Sequence, residues 1–296
     1  MNNLKIIFIG TSSFAVPTLE KLIEHKYQIL AIVTGKDKPA GRKKELTPSP
    51  VKQMGLKHKL PILQPEKISN LYDEISELKP DLTIVASYGQ IIGKKILDIP
   101  NYGSVNLHPS LLPKHRGPSP IQTAILNGDK KTGITIMLMD EKLDHGPIIS
   151  QKEITISSDD TYQSLEEKLS FESASFLTKI LPQYIEGKIK PKIQDEKKVS
   201  YSKIFTRQDG KIDWDQSAKT IERKVRAFYP WPGTWTEMNG KRIKIIKAKT
   251  TLKKQEISFP TGNGFLSLEL VQIEGKKPIT GQEFFRGYRD IIKLKT

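Results

Sequence analysis

Two polar side chains stand two residues apart near the middle of the chain, at the end of an apolar run. Asn106 and His108 belong to the run Ser104–His108, which reads SVNLH. Residues two apart in a β-strand project to the same face, so the Asn106 amide and the His108 imidazole are expected to face one volume. An amide N–H and a protonated His can together stabilise an oxyanion. The alternative is that His108 caps the strand and Asn106 bonds a turn.

A carboxylate follows the next predicted strand. The run Gly133–Met139 is followed by Asp140, Glu141 and Asp144, before a Gly-Pro turn. A carboxylate in this turn can reach the end of the strand that carries His108. Asn, His and Asp without a neighbouring Ser or Cys nucleophile do not make a hydrolase triad, and they suit direct acyl transfer instead. The carboxylate would orient the His and help to take a proton from an attacking amine.

The elements that must position these residues are predicted from four apolar runs, at Leu4–Gly10, Gln28–Thr34, Asp81–Ser87 and Ser104–His108. A helical pattern follows the first run, since Leu19, Leu22 and Ile23 recur at helical spacing. Strand and helix in this alternation predict an α/β fold, with a Rossmann-like, mostly parallel sheet. Its first turn, GTSSFA, lacks the second and third glycines of a dinucleotide fingerprint, which argues against nicotinamide or flavin cofactors.

The segment Lys36–Lys59 contains eight Lys or Arg residues and two acidic residues. Its first part, GKDKPAGRKKELTPSP, predicts a long exposed loop. Such a loop is either a solvated insertion or a basic arm that orders on a polyanion.

The composition changes after a predicted helix at Thr161–Ile185. Few apolar residues occur in Glu186–Ser200, which predicts a linker. Beyond it lies one predicted helix, Gln216–Tyr229, and then short alternating segments broken by Gly and Pro, with a hairpin signal at Asn239-Gly240. We therefore predict a catalytic domain at 1–185, a linker at 186–200 and a small, barrel-like β domain at 201–296.

Composition excludes several classes of protein. The 296 residues include no cysteine, which rules out disulfides, thiolate metal sites and a Cys nucleophile. No run approaches the ~18 apolar residues needed to span a bilayer, and the N-terminal apolar run is too short for a signal peptide. We expect a cytoplasmic protein.

The net charge of +15 is unevenly distributed. The last 96 residues, from Tyr201, carry 20 basic and 10 acidic residues, whereas the first 200 carry 28 and 23. A uniformly lysine-rich proteome does not explain this asymmetry, which favours a polyanion-binding C-terminal domain. Its aromatic residues can stack on bases or pack in the core or between domains: Phe228, Tyr229, Trp231, Trp235 and Tyr288.

Together these motifs resemble those of a known enzyme family. The sequence VNLHPSLLPKHRGPSPIQ followed by LDHGPII resembles the tetrahydrofolate-dependent formyltransferase family. The similarity to those members that formylate methionyl initiator tRNA extends over almost the whole chain, through FIGTSSFAVP, KPAGRKKELTPSPVK, DGKIDW and ERKVRAFYPWPGTW. The resemblance implies transfer of a formyl group from 10-formyltetrahydrofolate to the amino group of methionyl initiator tRNA, in support of translation initiation. This reaction needs no metal, and nothing in the sequence demands more than a monomer.

The resemblance also assigns residues. Asn106, His108 and Asp144 match the family's catalytic trio, and the folate-binding loop matches Ser110, Leu111, Leu112 and Pro113. Arg42, Lys43 and Lys44 match a loop that meets the tRNA acceptor stem. The C-terminal domain resembles an OB-like barrel that holds the tRNA backbone, and there we expect contacts from Lys241, Arg242, Lys244 and Lys247. Two positions depart from the pattern of these members, which commonly have Gly at Pro109 and a small Thr at His145.

Two other functions compete with this one. The first is formyl transfer to a sugar-nucleotide amine or to glycinamide ribonucleotide, by enzymes that lack or replace the basic C-terminal module. The second is a non-catalytic RNA-binding protein built on a relic enzyme fold, against which the intact set of Asn106, His108 and Asp144 argues.

Overall fold

The computed structural model describes residues 4–40, 45–253 and 257–288. The chain forms two units. Unit 1 contains Met1–Gly117, Lys131–Thr155 and Glu166–Tyr201, and unit 2 contains Pro118–Lys130, Ile156–Leu165 and Ser202–Thr296. Each is described below by itself.

Unit 1 is built on a seven-stranded sheet. The elements from its first strand to its last are β1 Lys5–Gly10, α1 Val16–Glu24, β2 Gln28–Val33, β3 Lys38–Ala40, β4 Glu45–Thr47, α2 Pro50–Lys57, β5 Ile62–Leu63, α3 Tyr72–Leu78, β6 Leu82–Ala86, α4 Lys94–Leu97, β7 Ser104–His108, then β8 Lys131–Leu138 and β9 Ile148–Thr155. The strand order is β5-β2-β1-β6-β7-β8-β9. The first four pairings are parallel and the last two antiparallel. The predicted mostly parallel α/β sheet is confirmed.

Burial explains why the central strands read as continuous apolar runs. In β1, Ile6, Ile7, Phe8 and Ile9 are all fully buried, although neighbouring residues project to opposite faces. Helices therefore cover both faces, as a parallel sheet with crossover connections requires. The result is a rigid frame whose parallel strands β1, β6 and β7 end at one edge, where ligands of such sheets bind.

The expectation of one long exposed loop at 35–50 is wrong in part. This segment contains the short antiparallel pair β3 and β4, and the helix α2 begins at its last residue. Ser49 caps α2 by accepting a hydrogen bond from the Lys52 amide (3.1 Å), and Pro50 opens the helix. Ser-Pro at an N-terminus is a recognised helix start, but the surrounding lysines and prolines obscure it.

Unit 2 has a separate core around an antiparallel sheet. Its elements are α5 Pro120–Asn127, α7 Ala218–Phe228, β10 Thr234–Met238, β11 Lys241–Thr251, β12 Ser258–Pro260, β13 Phe265–Ile273, β14 Ile279–Thr280 and α8 Gly281–Gly287. The helix α6, Tyr162–Ile185, lies between α5 and α7 in the sequence and matches the helix predicted at Thr161–Ile185 within one residue. The sheet order is β10-β11-β13-β12, with β14 paired to β13. The buried cluster includes Ile221, Ile243, Leu268, Val271 and Phe284.

The predicted hairpin at Asn239-Gly240 is confirmed. The two residues join β10 to β11 with Met238 opposite Lys241, and both have positive φ (47° and 72°), as a two-residue type I′ turn requires. The C-terminal part is thus an antiparallel sheet domain. Along 4–40, 45–253 and 257–288, no helix has the length and apolar character to cross a membrane.

Candidate active site

Strand β7 places Asn106 and His108 on one face of the sheet. Their neighbours Val105 and Leu107 point to the other face and are buried in the core. The His108 side chain is buried, whereas Asn106 is half-buried, and its carboxamide has no hydrogen-bond partner within the part of the chain that the structure describes. The amide N–H of Asn106 is therefore free to donate to a ligand.

Both ring nitrogens of His108 face oxygen acceptors. Nε2 lies 3.1 Å from the His115 carbonyl oxygen, and Nδ1 lies 3.6 Å from Oδ1 of Asp144. A carbonyl and a carboxylate only accept, so a neutral imidazole with a single N–H can satisfy one of them. The ring is therefore held at the end of β7 between a backbone carbonyl and a carboxylate.

Asp144 is held in a tight turn between β8 and β9. Its φ is +47°, an unusual conformation for a residue other than glycine. Its Oδ2 accepts a hydrogen bond from the Gly117 amide (2.7 Å), and Gly117 has φ +114°, which only glycine adopts readily. The Gly117 amide fixes one carboxylate oxygen, and the turn directs the other towards His108. The structure therefore brings His108 and Asp144 together as the spacing predicts.

Hydrogen bonds fix the loop Ser110–Pro113. The Ser110 hydroxyl donates to the Lys114 carbonyl (2.6 Å). The hydroxyl of Thr135, on strand β8, binds the backbone of the loop. Thr135 Oγ1 donates to the Ser110 carbonyl (2.7 Å) and accepts from the Leu112 amide (3.1 Å). Ser110 and Leu112 are buried, so these side chains shape the loop, whereas Leu111 and Pro113 are half-buried.

A second edge of the site was not marked by the sequence analysis. The Thr11 amide donates to the Ser87 carbonyl (3.1 Å), and the Ser12 hydroxyl donates to that of Ser87 (2.7 Å). These contacts join the residues after β1 to those after β6, the strand beside β7. The segment continues to Ile91, which is 88% exposed. An exposed isoleucine just beyond a strand end is the signal that the sequence offered.

Arg116 and its partners were also missed. The Arg116 side chain is fully buried and donates to Gln194 and Glu196. Burial lowers the pKa of its guanidinium, but hydrogen bonds to Glu196 and Tyr201 outweigh this effect and raise that pKa overall. The Arg116 hydrogen bond in turn lowers the pKa of Glu196. His145 continues the network, with Nδ1 2.5 Å from Asp140 and Nε2 3.6 Å from Glu196.

The expected basic residues fall into two groups. Arg42, Lys43 and Lys44 lie outside the described residues. The others, Lys241, Arg242, Lys244 and Lys247, lie on β11, where Lys241, Arg242 and Lys247 are exposed and Lys244 is half-buried. The guanidinium of Arg242 lies over the Trp235 ring, 4.2 Å from its centroid. The Lys244 ammonium lies 5.7 Å from the centroid of Tyr229. These aromatic rings thus orient cations in unit 2.

Comparison with known proteins identifies the family. The family model described as formyl transferase matches residues 4–181, and the one described as formyl transferase, C-terminal domain, matches residues 204–289. The chain belongs to the formyl transferase family. The expectation drawn from the resemblance is confirmed, and the chain is a formyltransferase enzyme.

A curated relative of this formyl transferase covers its full length. The methionyl-tRNA formyltransferase of Bacillus subtilis strain 168 is 44% identical to it, over 96% of this chain and 94% of the relative. Members of the family use folate-derived formyl donors.

Two solved structures share the formyl transferase fold. The N-formyltransferase from Helicobacter canadensis, described in complex with folinic acid and dTDP-3-aminofucose, aligns with a TM-score of 0.68 at 22% identity, over 90% of this chain and 99% of that chain. HypX from Aquifex aeolicus, described in complex with tetrahydrofolic acid, aligns with a TM-score of 0.67 at 18% identity. That alignment covers 96% of this chain but only 48% of HypX, so this chain spans about half of that protein.

Proposed function

We propose that this chain transfers the formyl group of 10-formyltetrahydrofolate to the α-amino group of methionyl initiator tRNA. The observation that carries the proposal is the 44% identity to a methionyl-tRNA formyltransferase over nearly the full length of both proteins. The match includes the C-terminal part, where the excess of basic residues lies. The product, a formylated initiator tRNA, serves translation initiation, and we place the reaction in the cytoplasm for that reason.

Three residues of unit 1 carry the chemistry in this proposal. The neutral amine of the methionyl group attacks the formyl carbon, and the carbonyl oxygen becomes an oxyanion. The Asn106 N–H and the His108 ring stabilise this oxyanion. Asp144, fixed by its hydrogen bond from the Gly117 amide, holds the His108 ring and assists removal of the proton from the amine. The proton lost by the amine reaches N10 of the folate as the bond from carbon to N10 breaks.

The folate is a co-substrate that supplies the formyl carbon, and the site suits such a group. The site combines apolar surface, at the rigid loop Ser110–Pro113 and the exposed Ile91, with one directed donor, the Asn106 amide, which has no partner among the described residues. Pockets for planar ligands commonly have this composition. No step proposed here needs a metal. One chain carries Asn106, His108 and Asp144 together, so we propose that it acts as a monomer.

The tRNA is assigned to the basic residues outside this trio. We propose a division into catalytic residues 1–185, a connecting segment 186–200 and a tRNA-binding domain at 201–296, whose antiparallel sheet closes as an OB-like barrel. Lys241, Arg242, Lys244 and Lys247 then contact phosphates, which gives affinity without sequence information. Arg42, Lys43 and Lys44 meet the acceptor stem, and Arg42→Ala is expected to weaken tRNA use without changing folate binding.

The acceptor decides between this function and its rivals. Purified protein with 10-formyltetrahydrofolate is offered methionyl initiator tRNA, methionyl elongator tRNA and an amino-sugar nucleotide in parallel, and formylated products are measured by mass spectrometry. We expect the initiator tRNA to be formylated fastest and the sugar nucleotide not at all. Preferred formylation of the sugar nucleotide would replace the proposal with the first rival. Absence of formyl release with every acceptor would favour a non-catalytic RNA-binding protein.

A further inference from the structure

The segment before Tyr201 returns to the candidate active site. Lys192 exchanges two backbone hydrogen bonds with Ile148, the first residue of β9 (2.7 and 2.8 Å). Eight residues later, the Ser200 carbonyl accepts from the Arg116 amide (2.9 Å), and the Ser200 hydroxyl accepts from the His115 amide (2.9 Å). The residues between these two anchor points therefore run beside both loops that contact His108.

Gln194 lies in this stretch and binds the turn of Asp144. Its side chain is buried, and Nε2 donates to the carbonyl oxygens of Asp144 (2.9 Å) and Gly146 (2.8 Å). These two carbonyls flank His145 on either side. Gly146 itself cannot carry a side chain, since a Cβ there would lie 1.9 Å from the Leu138 carbonyl oxygen. One amide thus fixes the backbone that holds Asp144 at φ +47°.

Arg116 fixes Gln194 in turn. Its Nε and one terminal nitrogen donate to Gln194 Oε1 at 3.1 and 2.9 Å, and Glu196 accepts from the same guanidinium at 2.7 Å. Because this fork occupies Oε1, the amide can only direct its N–H groups at the Asp144 turn. Arg116 also lies between two residues that contact the site, since the His115 carbonyl faces His108 and the Gly117 amide donates to Asp144.

We propose that Arg116 and Gln194 are positioning residues, which hold the Asp144 carboxylate against His108 for the formyl transfer proposed above. Neither residue touches the reacting atoms. Burial of the Arg116 guanidinium is costly unless it is paired. Its ionic partner Glu196 is 59% exposed, and an ion pair with an exposed group contributes little to stability. We therefore attribute the role of Arg116 to the geometry that it imposes on the Asp144 turn.

The inference rests on the proposed function and predicts a defect confined to turnover. A displacement of about 1 Å in a reacting group can cost on the order of 10²-fold in rate. Loss of Gln194 would release the Asp144 turn without removing any group that binds folate or tRNA. We therefore expect kcat to fall about 10- to 100-fold, with both KM values unchanged within about twofold.

The test is a double-mutant cycle on the full chain, assayed with methionyl initiator tRNA and 10-formyltetrahydrofolate. Gln194→Leu removes the amide at nearly constant size. The matched control is Gln183→Leu, because Gln183 donates to the Lys179 carbonyl within its own helix, α6, and it should keep wild-type kinetics. In the Asp144→Asn background, Gln194→Leu should lower kcat by less than about threefold, since the carboxylate that Gln194 positions is already lost.

Arg116→Lys provides a second route if Gln194→Leu does not fold. The substitution keeps a cation beside Glu196, but a lysine cannot donate the two parallel hydrogen bonds that Arg116 gives to Gln194 Oε1. The variant should show the same loss confined to kcat. Full additivity with Asp144→Asn would overturn the inference, and so would a change in KM alone or wild-type kcat in both variants. Failure of the wild-type chain to formylate the tRNA would instead refute the proposed function, which separates the two outcomes.

Discussion

At the scale of single residues, the site combines one half-buried donor with one enclosed ring. Asn106 has no side-chain partner among the described residues, whereas His108 is enclosed between the His115 carbonyl and Asp144. In the proposed reaction, Asn106 would donate a directed hydrogen bond to the oxyanion and His108 would stabilise it at close range. Asp144 connects the His108 ring to the backbone through Gly117.

Asp144→Asn tests the electrostatic part of this arrangement. The substitution keeps the size of the side chain but removes the carboxylate 3.6 Å from Nδ1 of His108. We expect kcat to fall at least 10-fold while the Kd for folate stays within about twofold, as measured by fluorescence titration. A variant with lost folate affinity and normal turnover would make Asp144 a folate-binding residue.

At the scale of elements, strand ends and turns position nearly every group of interest. One such turn in unit 2, Arg207–Gly210, is closed by a capping box in which Asp209 accepts from the Thr206 amide and hydroxyl (2.7 and 2.8 Å). A hydrogen bond from Lys203 is the largest cause that lowers the pKa of Asp209, to about 2, followed by the bond from the Thr206 amide.

This turn predicts how stability depends on pH. Because the pKa of Asp209 is lower in the folded chain than its ordinary 3.8, its contribution is complete above about pH 4 and is lost as the pH falls towards 2. Urea unfolding of the wild type and Asp209→Asn should therefore show a difference in stability at pH 7 that shrinks steadily as the pH falls from about 4 towards 2. Asp215→Asn, outside the capping box, serves as the control. A difference that stays constant with pH would contradict this assignment.

The strands and helices with strong periodicity could be predicted from the sequence. The predicted helices Thr161–Ile185 and Gln216–Tyr229 match α6 and α7 within two residues at each end. The β3–β4 pair was missed because its strands have three residues each, too few for an alternating pattern, and α8 was missed because Gly281 and Gly287 bound it. In the site, Asn106, His108 and Asp144 stand out by type, whereas Arg116 and Gln194 meet across 78 residues of sequence. Sequence spacing carries no signal for such a contact.

At the scale of the whole molecule, net positive charge is concentrated in the C-terminal part of the chain. On β11, Lys247 and Lys249 are paired with Glu269, at 3.2 and 2.7 Å, whereas Arg242 stacks on Trp235. Part of the positive charge is therefore neutralised within unit 2, and the Arg242 guanidinium also lies 4.0 Å from Glu237.

Replacement of Lys241, Arg242, Lys244 and Lys247 by Gln tests this distribution. If these groups contact phosphates, each contact contributes about −0.9 to the slope of log K against log salt for duplex, so the slope should become shallower by about two to four units. Initiator and elongator tRNAs should lose affinity about equally, as measured by filter binding across a salt series. Loss of affinity for the initiator alone would show that these residues read tRNA identity.

The central claim is that Asn106 and His108 stabilise the oxyanion during formyl transfer to methionyl initiator tRNA. The most direct measurement is the single-turnover rate of that transfer by the wild type, Asn106→Ala and His108→Ala, with folding checked by circular dichroism. We predict a loss on the order of 10²–10³ for Asn106→Ala, as for one oxyanion donor, and at least as much for His108→Ala. A folded variant of either kind that formylates the tRNA at the wild-type rate would contradict the account.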